Sequence, residues 1–162
     1  EDYNKAIVLD PNDAVSYYNR GVAYADKGQN DRAILDYNKA IALDPNDAAA
    51  YYNRGNAYYR KGQYDRAIED YNKAIVLDPN DALAYTMRGL IYHQNKGQND
   101  RAIEDYSKAI AIDPNYALAY SSRGLIYAIL GNMGRAISDF QKACDLGLEL
   151  GCKALEMALK NR

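Results

Sequence analysis

Apolar side chains recur along this chain at spacings of three and four residues, the periodicity of one face of an α-helix. Residues 14–47 show the pattern most simply. Tyr17, Gly21 and Tyr24 share one face of a first predicted helix. The residues that share one face of a second predicted helix are Ala33, Tyr37, Ala40 and Ile41. No segment alternates apolar and polar residues with the two-residue period of a β-strand. The pattern therefore predicts an all-α protein.

Polar turns bound these two predicted helices. Asp13 is a suitable N-cap for the first helix, which is expected to run to about Lys27. Residues 28–31 separate it from the second helix, expected from about Arg32 to Leu43. An Asp-Pro-Asn-Asp segment then ends the second helix, because proline disfavours helical geometry in the residue before it. The short turn makes the two helices antiparallel neighbours.

The helix pair repeats along the chain. The four prolines, at positions 11, 45, 79 and 114, are spaced 34, 34 and 35 residues apart, which is typical of stacked repeats. The predicted parts of this single domain are a truncated repeat (1–13), repeats at 14–47, 48–81, 82–116 and 117–149, and a capping helix (150–162). Residues 1–9 match a second helix without a first, so we expect the natural N-terminus to lie further upstream.

The third repeat carries one extra residue, located between His93 and Lys96. Two explanations stay open from the sequence. Either the turn between the two helices is longer, or the first helix contains a π-bulge, a feature that is frequent at functional sites.

The repeated positions resemble the tetratricopeptide repeat family, in which an aromatic residue, Gly, Tyr, Ala, a second aromatic and Pro recur in about 34 residues. The matching positions are Tyr17, Gly21, Tyr24, Ala33, Tyr37 and Pro45; Tyr51, Gly55, Tyr58, Ala67, Tyr71 and Pro79; Tyr85, Gly89, Tyr92, Ala102, Tyr106 and Pro114; and Tyr120, Gly124, Tyr127, Ala136 and Phe140. The resemblance implies a right-handed superhelical solenoid of antiparallel helix pairs that acts as a protein–protein interaction module.

An arginine precedes each recurring glycine, where this family often has leucine. These arginines are Arg20, Arg54, Arg88 and Arg123, and the aspartates that recur on the second helices are Asp36, Asp70, Asp105 and Asp139. The pattern predicts one structural Arg–Asp pair in each repeat. Glycine inside a helix costs about 1 kcal/mol relative to alanine, so its recurrence indicates close helix packing.

Charge and composition exclude several classes of function. The net charge is −2 and no block of Lys or Arg offers a nucleic-acid footprint, so we expect no nucleic-acid partner. No apolar run approaches the roughly 20 residues that cross a bilayer, which predicts no membrane insertion. No signal peptide opens the chain, but targeting information is expected to be missing together with the natural N-terminus. The sequence therefore predicts a soluble protein and leaves its compartment, cytoplasm or periplasm, unknown. No nucleophile–base pair, phosphate loop or metal-ligand spacing is present, which predicts no enzymatic activity and no cofactor.

In the tetratricopeptide family, the free face of the first helices lines a concave groove. The residues that the resemblance places in a peptide-binding groove are Tyr18, Asn19, Val22, Tyr52, Asn53, Asn56, Tyr59, Met87, Leu90, His93, Leu118, Ser122 and Leu125. Their character changes from Tyr and Asn to Leu and Met along the chain. Leu83, Met87 and Leu118 lie where a clamp for a terminal carboxylate would need cations, so we expect a different peptide.

Two hypotheses for function follow. In the first, the chain is a scaffold or adaptor that binds a peptide segment of a partner protein in this groove. In the second, the chain is a structural array that assembles with itself as a homo-oligomer through its terminal repeats, since Tyr3, Ala6 and Ile7 lack their expected partner helix.

The C-terminal segment departs from the repeat pattern. It contains the only two cysteines, Cys144 and Cys152, and resembles Sel1-like repeats, in which two cysteines at this separation bracket a helical turn. Two small buried thiols are slightly favoured over a disulfide. A disulfide under oxidising conditions is nevertheless expected to be possible, because the predicted helix–turn–helix brings the two residues close.

Overall fold

The computed structural model describes residues 2–160; residues 1, 161 and 162, which belong to the predicted terminal segments, lie outside the described residues. The described chain forms ten α-helices and no β-strand. The helices are α1 (Asp2–Leu9), α2 (Ala14–Asp26), α3 (Asn30–Leu43), α4 (Ala48–Arg60), α5 (Tyr64–Leu77), α6 (Ala82–Gln94), α7 (Asn99–Ile112), α8 (Ala117–Ile129), α9 (Met133–Asp145) and α10 (Glu149–Lys160). The all-α prediction is confirmed.

Each full repeat is a pair of antiparallel helices. We call the first member the A helix (α2, α4, α6 and α8) and the second the B helix (α3, α5, α7 and α9). The predicted N-cap of the first A helix is confirmed, because the Asp13 side chain accepts a hydrogen bond from the Val15 N–H. Gly28, with φ of 72°, ends the turn that follows α2, in a left-handed conformation that favours glycine.

The chain divides into two compact units. Unit 1 ends at Pro79 and unit 2 begins at Asn80. In unit 1, successive helices from α1 to α5 pack on one another, and the two A helices also touch. In unit 2, successive helices from α6 to α10 pack in the same way, and α8 touches both α6 and α10.

The core of each repeat is an aromatic ring that packs against the glycine of the A helix. Tyr37, Tyr71 and Tyr106 are fully buried, and Phe140 takes the same place in the last repeat. A Cβ atom added to Gly55 would lie 2.9 Å from the Tyr71 ring, closer than real Cβ atoms approach. The glycine therefore lets the two helices of a repeat approach, as the sequence predicts.

The predicted Arg–Asp pairs form in all four repeats and are confirmed. In unit 1, the Arg54 Nε and Nη2 atoms donate to the two carboxylate oxygens of the buried Asp70, at 2.8 and 2.7 Å. The remaining Nη1 donates to Asn38 of the preceding B helix, at 2.7 Å. Arg54 therefore joins its own repeat to the repeat before it, and Arg20 and Arg123 do the same through Asn4 and Ser107.

The extra residue of the third repeat lengthens the turn. The α6 helix continues to Gln94 and α7 begins at Asn99, so four residues separate them, whereas three separate α2 from α3. The helix itself is regular α-helix throughout. Of the two explanations that the sequence leaves open, the structure supports the longer turn.

The α10 helix follows the pattern of an A helix. Gly151 and Ala158 are its buried residues, and they match the buried Ala119 and Ile126 of α8. In that register, Glu156 of α10 takes the position that Gly124 holds in α8. The glycine that admits a buried aromatic ring from a following B helix is therefore absent from α10.

A disulfide joins Cys144 of α9 to Cys152 of α10, with the two Cα atoms 4.5 Å apart. The slight preference for free thiols is therefore wrong. The reason is local, because a turn of only three residues, 146–148, connects the helices and Gly151 packs directly on Ala143. The hypothesis that the two cysteines can be bridged agrees with this geometry.

The α1 helix packs on α2 but buries none of its residues. Tyr3 is 41% exposed, although the equivalent aromatic residue of every later repeat is buried. Val8 and Leu9 are 80% and 86% exposed. The missing partner predicted for residues 1–9 thus leaves Tyr3 exposed, whereas Ala6 and Ile7 are half-buried.

Candidate functional site

The exposed faces of the A helices form one candidate surface in each unit. The unit 1 face comprises Val15, Tyr18, Asn19 and Val22 of α2 with Ala49, Tyr52, Asn53, Asn56, Tyr59 and Arg60 of α4. The unit 2 face comprises Leu83, Thr86, Met87, Leu90 and His93 of α6; Leu118, Ser121, Ser122, Leu125 and Ile129 of α8; and Leu150, Lys153, Ala154, Met157 and Lys160 of α10. On each helix these positions recur every three or four residues, so they share one stripe.

Hydrogen bonds between α2 and α4 show that this stripe faces the neighbouring A helix. The Asn53 amide donates to the Tyr18 hydroxyl at 3.0 Å and to the Ala49 carbonyl at 3.0 Å. At the other end of the helices, Arg60 donates to the Ala25 carbonyl at 3.1 Å. The predicted contact residues Tyr18 and Asn53 are thus partly used to hold the unit 1 face together.

Two tyrosines of the unit 1 face cover the core. The ring centroids of Tyr18 and Tyr37 lie 6.1 Å apart, and those of Tyr52 and Tyr71 lie 5.8 Å apart. Each pair is tilted, a favourable aromatic geometry. Tyr18 and Tyr52 are consequently half-buried, with part of each ring left for a ligand.

Asn56 has a structural role that the sequence did not predict. The Tyr71 hydroxyl donates to the Asn56 side-chain carbonyl at 2.7 Å. Burial raises the pKa of Tyr71, so the phenol stays protonated and remains a donor at neutral pH. The oxygen of Asn56 therefore holds the hydroxyl of a core tyrosine, while the residue itself is half-buried.

The unit 2 face is apolar at the positions that protrude most. Leu118 and Leu125 of α8 are 46% and 49% exposed, and Leu83 of α6 is exposed to a similar degree. Met87 and Leu90 are half-buried beside them. Ser122 lies between the two leucines of α8, so small and large side chains alternate on this face.

His93 closes one edge of the unit 2 face. Its Nδ1 atom lies 2.8 Å from the Asn99 side-chain oxygen at the start of α7. The imidazole therefore contacts the start of α7 and is only partly exposed. Among the described residues, no group of His, Cys, Asp and Glu is arranged to hold a metal ion.

The contribution of α10 to the unit 2 face was missed by the sequence analysis. Leu150 and Met157 of α10 take the positions of Leu118 and Leu125 in α8, and they are 65% and 60% exposed. The signal that could have located them is the register of Gly151, which matches an A helix rather than a detached cap. The disulfide fixes these two side chains beside α8 in unit 2.

No helix among residues 2–160 combines the length and apolar character needed to cross a membrane.

The charged groups of the unit 2 face are few. Lys153 pairs with Glu149 on its own helix, and Lys160 lies near the end of α10. None of the described residues of the unit 2 face is an aspartate or glutamate.

Comparisons with known proteins agree with this architecture. A family described as "TPR repeat" matches residues 23–62, 55–96 and 95–131. Families described as "Tetratricopeptide repeat" match residues 2–34 and 117–146. The resemblance of the C-terminal segment to Sel1-like repeats stays a prediction. No curated protein matches the chain.

Solved structures of the protein MamA are similar to this chain. One described as "Crystal structure of MamA" is 36% identical, with a TM-score of 0.84, over 89% of this chain and 84% of that chain. A second MamA structure, also 36% identical, has a TM-score of 0.80 over 89% and 78% of the two chains. MamA from Desulfovibrio magneticus RS-1 is 27% identical, with a TM-score of 0.81 over 89% and 81%. The chain therefore belongs to the tetratricopeptide repeat family.

Proposed function

We propose that this protein is a scaffold that binds a peptide segment of a partner protein on the faces of its A helices, chiefly on the unit 2 face. The observation that carries the proposal is the set of exposed leucine and methionine side chains on α6, α8 and α10. A role as a protein-interaction scaffold is supported by the tetratricopeptide repeats and by the similarity to MamA.

Exposed apolar groups of this kind need an explanation. Scattered single apolar residues are normal on protein surfaces, but contiguous apolar patches usually mark interaction sites. Leu118 and Leu125 lie two turns apart on α8, and Leu150 and Met157 repeat that spacing on the adjacent α10. These side chains offer a partner apolar area whose burial contributes roughly 25 cal/mol per Å².

The unit 1 face is suited to a different contact. The half-buried side chains of Asn19, Asn56 and Tyr52 carry donors and acceptors that suit a peptide backbone. Tyrosine also provides contact area at a low cost in side-chain entropy. We therefore propose that the unit 1 face makes polar contacts with the partner.

A peptide-display selection on the purified chain tests the proposal. Selected peptides are titrated against the wild type and against a Leu118→Ser/Leu125→Ser double variant. Because interface energy is concentrated in a few residues, we expect the double variant to weaken binding about tenfold or more. Lys108→Ala, on the exposed side of α7, is the matched control and should leave affinity unchanged.

One outcome is that the selected peptides bind both the Leu118→Ser/Leu125→Ser variant and a Tyr52→Ala variant as tightly as the wild type. In that case the peptides bind outside the two faces. That outcome overturns the proposed site. Tyr52→Ala is preferred to Asn56→Ala for unit 1, because loss of Asn56 also removes the acceptor of the buried Tyr71 hydroxyl.

Self-association is the second candidate, and the exposed side chains of α1 favour it. Val8 and Leu9 could pair with another copy of the chain. A head-to-tail contact that continues the repeat from α10 to α1 of a second copy is disfavoured. In that contact the aromatic Tyr3 would meet Glu156 at the position where every full repeat has glycine.

Sedimentation velocity over a hundredfold range of protein concentration tests this candidate. Self-association through α1 predicts a rise in sedimentation coefficient that Val8→Ser/Leu9→Ser abolishes and Lys108→Ala does not. A single concentration-independent species would contradict it.

A further inference from the structure

We propose that unit 2 carries a docking site for a lysine side chain of a partner protein, in a pocket between the start of α7 and the C-terminal end of α8. None of the residues that line this pocket belongs to the unit 2 face, so the site is separate from the proposed function. The argument comes from the equivalent place in unit 1, where a lysine of the chain itself makes the corresponding contact.

The pocket is open to solvent and has a volume of about 590 Å³. The residues that line it are Gly97, Gln98, Asn99, Asp100, Arg101 and Leu130. Asp100 supplies an exposed carboxylate, and Leu130, which is 52% exposed, supplies an apolar wall. A ligand that carries a cation at the end of an aliphatic stem matches both features.

Unit 1 contains the same pair of positions. Asp31 and Asp100 are each the second residue of a B helix, α3 and α7. Lys61 and Leu130 each follow directly after an A helix, α4 and α8. Their backbones agree, with φ and ψ of −89° and 1° at Lys61 and of −81° and 5° at Leu130. The two side chains therefore leave the ends of their helices in the same direction.

In unit 1 the chain fills this position itself. The Lys61 ammonium pairs with the Asp31 carboxylate and so joins the second repeat to the first. The Lys61 side chain is only 29% exposed, so its aliphatic stem is largely covered while its charge reaches the carboxylate. This place in a repeat pair therefore accommodates a lysine side chain.

In unit 2 the ammonium group is missing. Leu130 supplies an aliphatic side chain without a charge, and the Asp100 side chain has no hydrogen bond or ion pair with any described residue. The neighbouring cation, Arg101, is engaged elsewhere. Its Nη1 donates to the Gln98 side-chain oxygen at 3.2 Å, and its guanidinium lies 5.4 Å from the centre of the Tyr92 ring. A lysine from a partner can therefore pair with Asp100 and lay its methylene groups on Leu130.

The positive charge of Arg101 does not exclude a lysine. In unit 1, Arg32 follows Asp31 in the same way, and it donates to Gln29 at 3.1 Å. The Lys61–Asp31 pair forms beside it. Residues 97–101 are identical to residues 28–32, so Leu130 is the one pocket residue that differs from its counterpart in unit 1.

The openness of the pocket favours a lysine that is part of a protein over a free amine. A single exposed ion pair is weak, so a small free amine gains little from Asp100. A lysine carried by a partner protein is also held in place by the contacts around it. The ammonium is the chemistry that both sources share, and the experiments below separate them.

Nuclear magnetic resonance with n-butylammonium, which reproduces a lysine side chain, tests the site. We expect saturable chemical-shift changes at the amides of residues 97–101 and Leu130 that weaken at high salt. n-Butanol, which keeps the stem without the charge, should cause no such change. A wild-type protein without a saturable response, or an equal response to n-butanol, would overturn the proposal.

Variants of both units test the comparison. Asp100→Asn should weaken the response severalfold, and Leu130→Lys should abolish it, because the new side chain occupies the site from within. Lys61→Leu empties the position in unit 1 and should create a second response at residues 28–32. A response that survives both unit 2 variants would overturn the site, and a Lys61→Leu variant without the second response would overturn its equivalence with unit 1.

Matched controls lie on the exposed side of α7. Glu104→Gln removes a carboxylate one turn from Asp100, and Ala111→Lys adds a lysine near the other end of the helix. Both variants should respond to n-butylammonium as the wild type does. Circular dichroism of every variant checks that the fold is kept.

A display library of nine-residue peptides with a fixed central lysine separates a protein partner from a free amine. The library is selected on the wild type and depleted on Leu130→Lys. We expect the best peptide to bind about tenfold or more tightly than n-butylammonium or spermidine, and to lose that advantage when norleucine replaces its central lysine. A free amine that binds as tightly as the best peptide, or a library without enrichment, would overturn the assignment to a partner protein.

Discussion

The unit 1 face and the unit 2 face lie on the same kind of helix pair and present different chemistry. In unit 1, Tyr18 and Asn53 bond to each other and cover the core. In α6 and α8 of unit 2, the equivalent positions are small or apolar, and leucines protrude beside them. Beneath both faces the buried aromatic ring, the A-helix glycine and the Arg–Asp pair are the same. The difference teaches that the exposed faces of the A helices vary while the residues that stabilise the core of each repeat are kept.

The largest effect that tests this separation is loss of an Arg–Asp pair. Arg88→Met leaves the buried Asp105 carboxylate without its two hydrogen bonds, and breaking a buried pair costs about 3–5 kcal/mol. Arg54→Met breaks the equivalent pair in unit 1 and should cost a similar amount. Urea unfolding of both variants measures the loss. A much smaller loss of unfolding free energy in one unit would show that the Arg–Asp pair does not stabilise the two units alike.

The Arg88→Met variant also has a defined pH dependence. Burial raises the pKa of Asp105, and the hydrogen bonds from Arg88 oppose that rise. Without the arginine the pKa rises further, so the folded state favours the protonated carboxyl more than the unfolded state does. The loss of stability should therefore be full at neutral pH and shrink as pH falls through the raised pKa. Lys108→Met serves as the control, with no such dependence.

The second effect concerns the disulfide, which is present only in unit 2. Reduction of Cys144–Cys152, or the Cys144→Ser/Cys152→Ser variant, should destabilise the docking of α10 by about 2–3 kcal/mol on the chain-entropy model. Hydrogen exchange should show faster exchange in α10 and unchanged exchange in unit 1. Mass spectrometry of a non-reducing digest checks that the bond is present, and two alkylated thiols in oxidised protein would contradict it.

The third effect tests the close packing of the glycines. Gly55→Leu should destabilise unit 1 by about 1–3 kcal/mol or more, because its first added atom already lies 2.9 Å from the Tyr71 ring. Gly134, on α9 in unit 2, has no heavy atom within 4 Å of an added Cβ. Gly134→Ala should be neutral or slightly stabilising. Thermal melts with the same midpoint for Gly55→Leu and wild type would argue against close packing.

The smallest effect concerns the faces themselves. Leu125→Ser and Tyr52→Thr exchange side chains for small polar ones, and Leu125 is half exposed. Exposed positions usually change stability by no more than about 0.5 kcal/mol, so Leu125→Ser should leave the melting temperature nearly unchanged. Tyr52→Thr should cost more, because its ring packs on Tyr71. Equal losses of stability in the two variants would contradict the distinction between the unit 1 face, which covers the core, and the unit 2 face, which is open.

The sequence predicted the helices, the turns and the Arg–Asp pairs because each depends on local periodicity and on residues that recur in every repeat. The N-cap at Asp13 and the pairing of Arg54 with Asp70 follow directly from that pattern. The role of Asn56 could not be predicted in the same way. Its partner, Tyr71, lies on another helix. Among the hydrogen bonds described, Asn56 is the one A-helix side chain that accepts from a B-helix tyrosine.

The cysteines show a second limit. The separation of Cys144 and Cys152 allows a disulfide, but it also allows two buried thiols, and the decision depends on how closely α9 and α10 approach. That approach depends on Gly151, which has no side chain and therefore lets α10 pack directly on Ala143 of α9. The alignment of α10 with the A helices is a different case, because the register of Gly151 carried a signal for it that the sequence analysis missed.

The glutamate at position 156 has a consequence for engineering longer versions of this protein. Every full repeat offers a glycine to the aromatic residue of the helix that follows it, and α10 offers a carboxylate instead. An additional repeat inserted between Asp47 and Ala48 would find glycine and aromatic partners on both sides. A B helix appended after α10 would need Glu156→Gly before its aromatic ring could be buried against α10. The array can therefore be lengthened by internal duplication, whereas the Glu156 side chain opposes extension beyond α10.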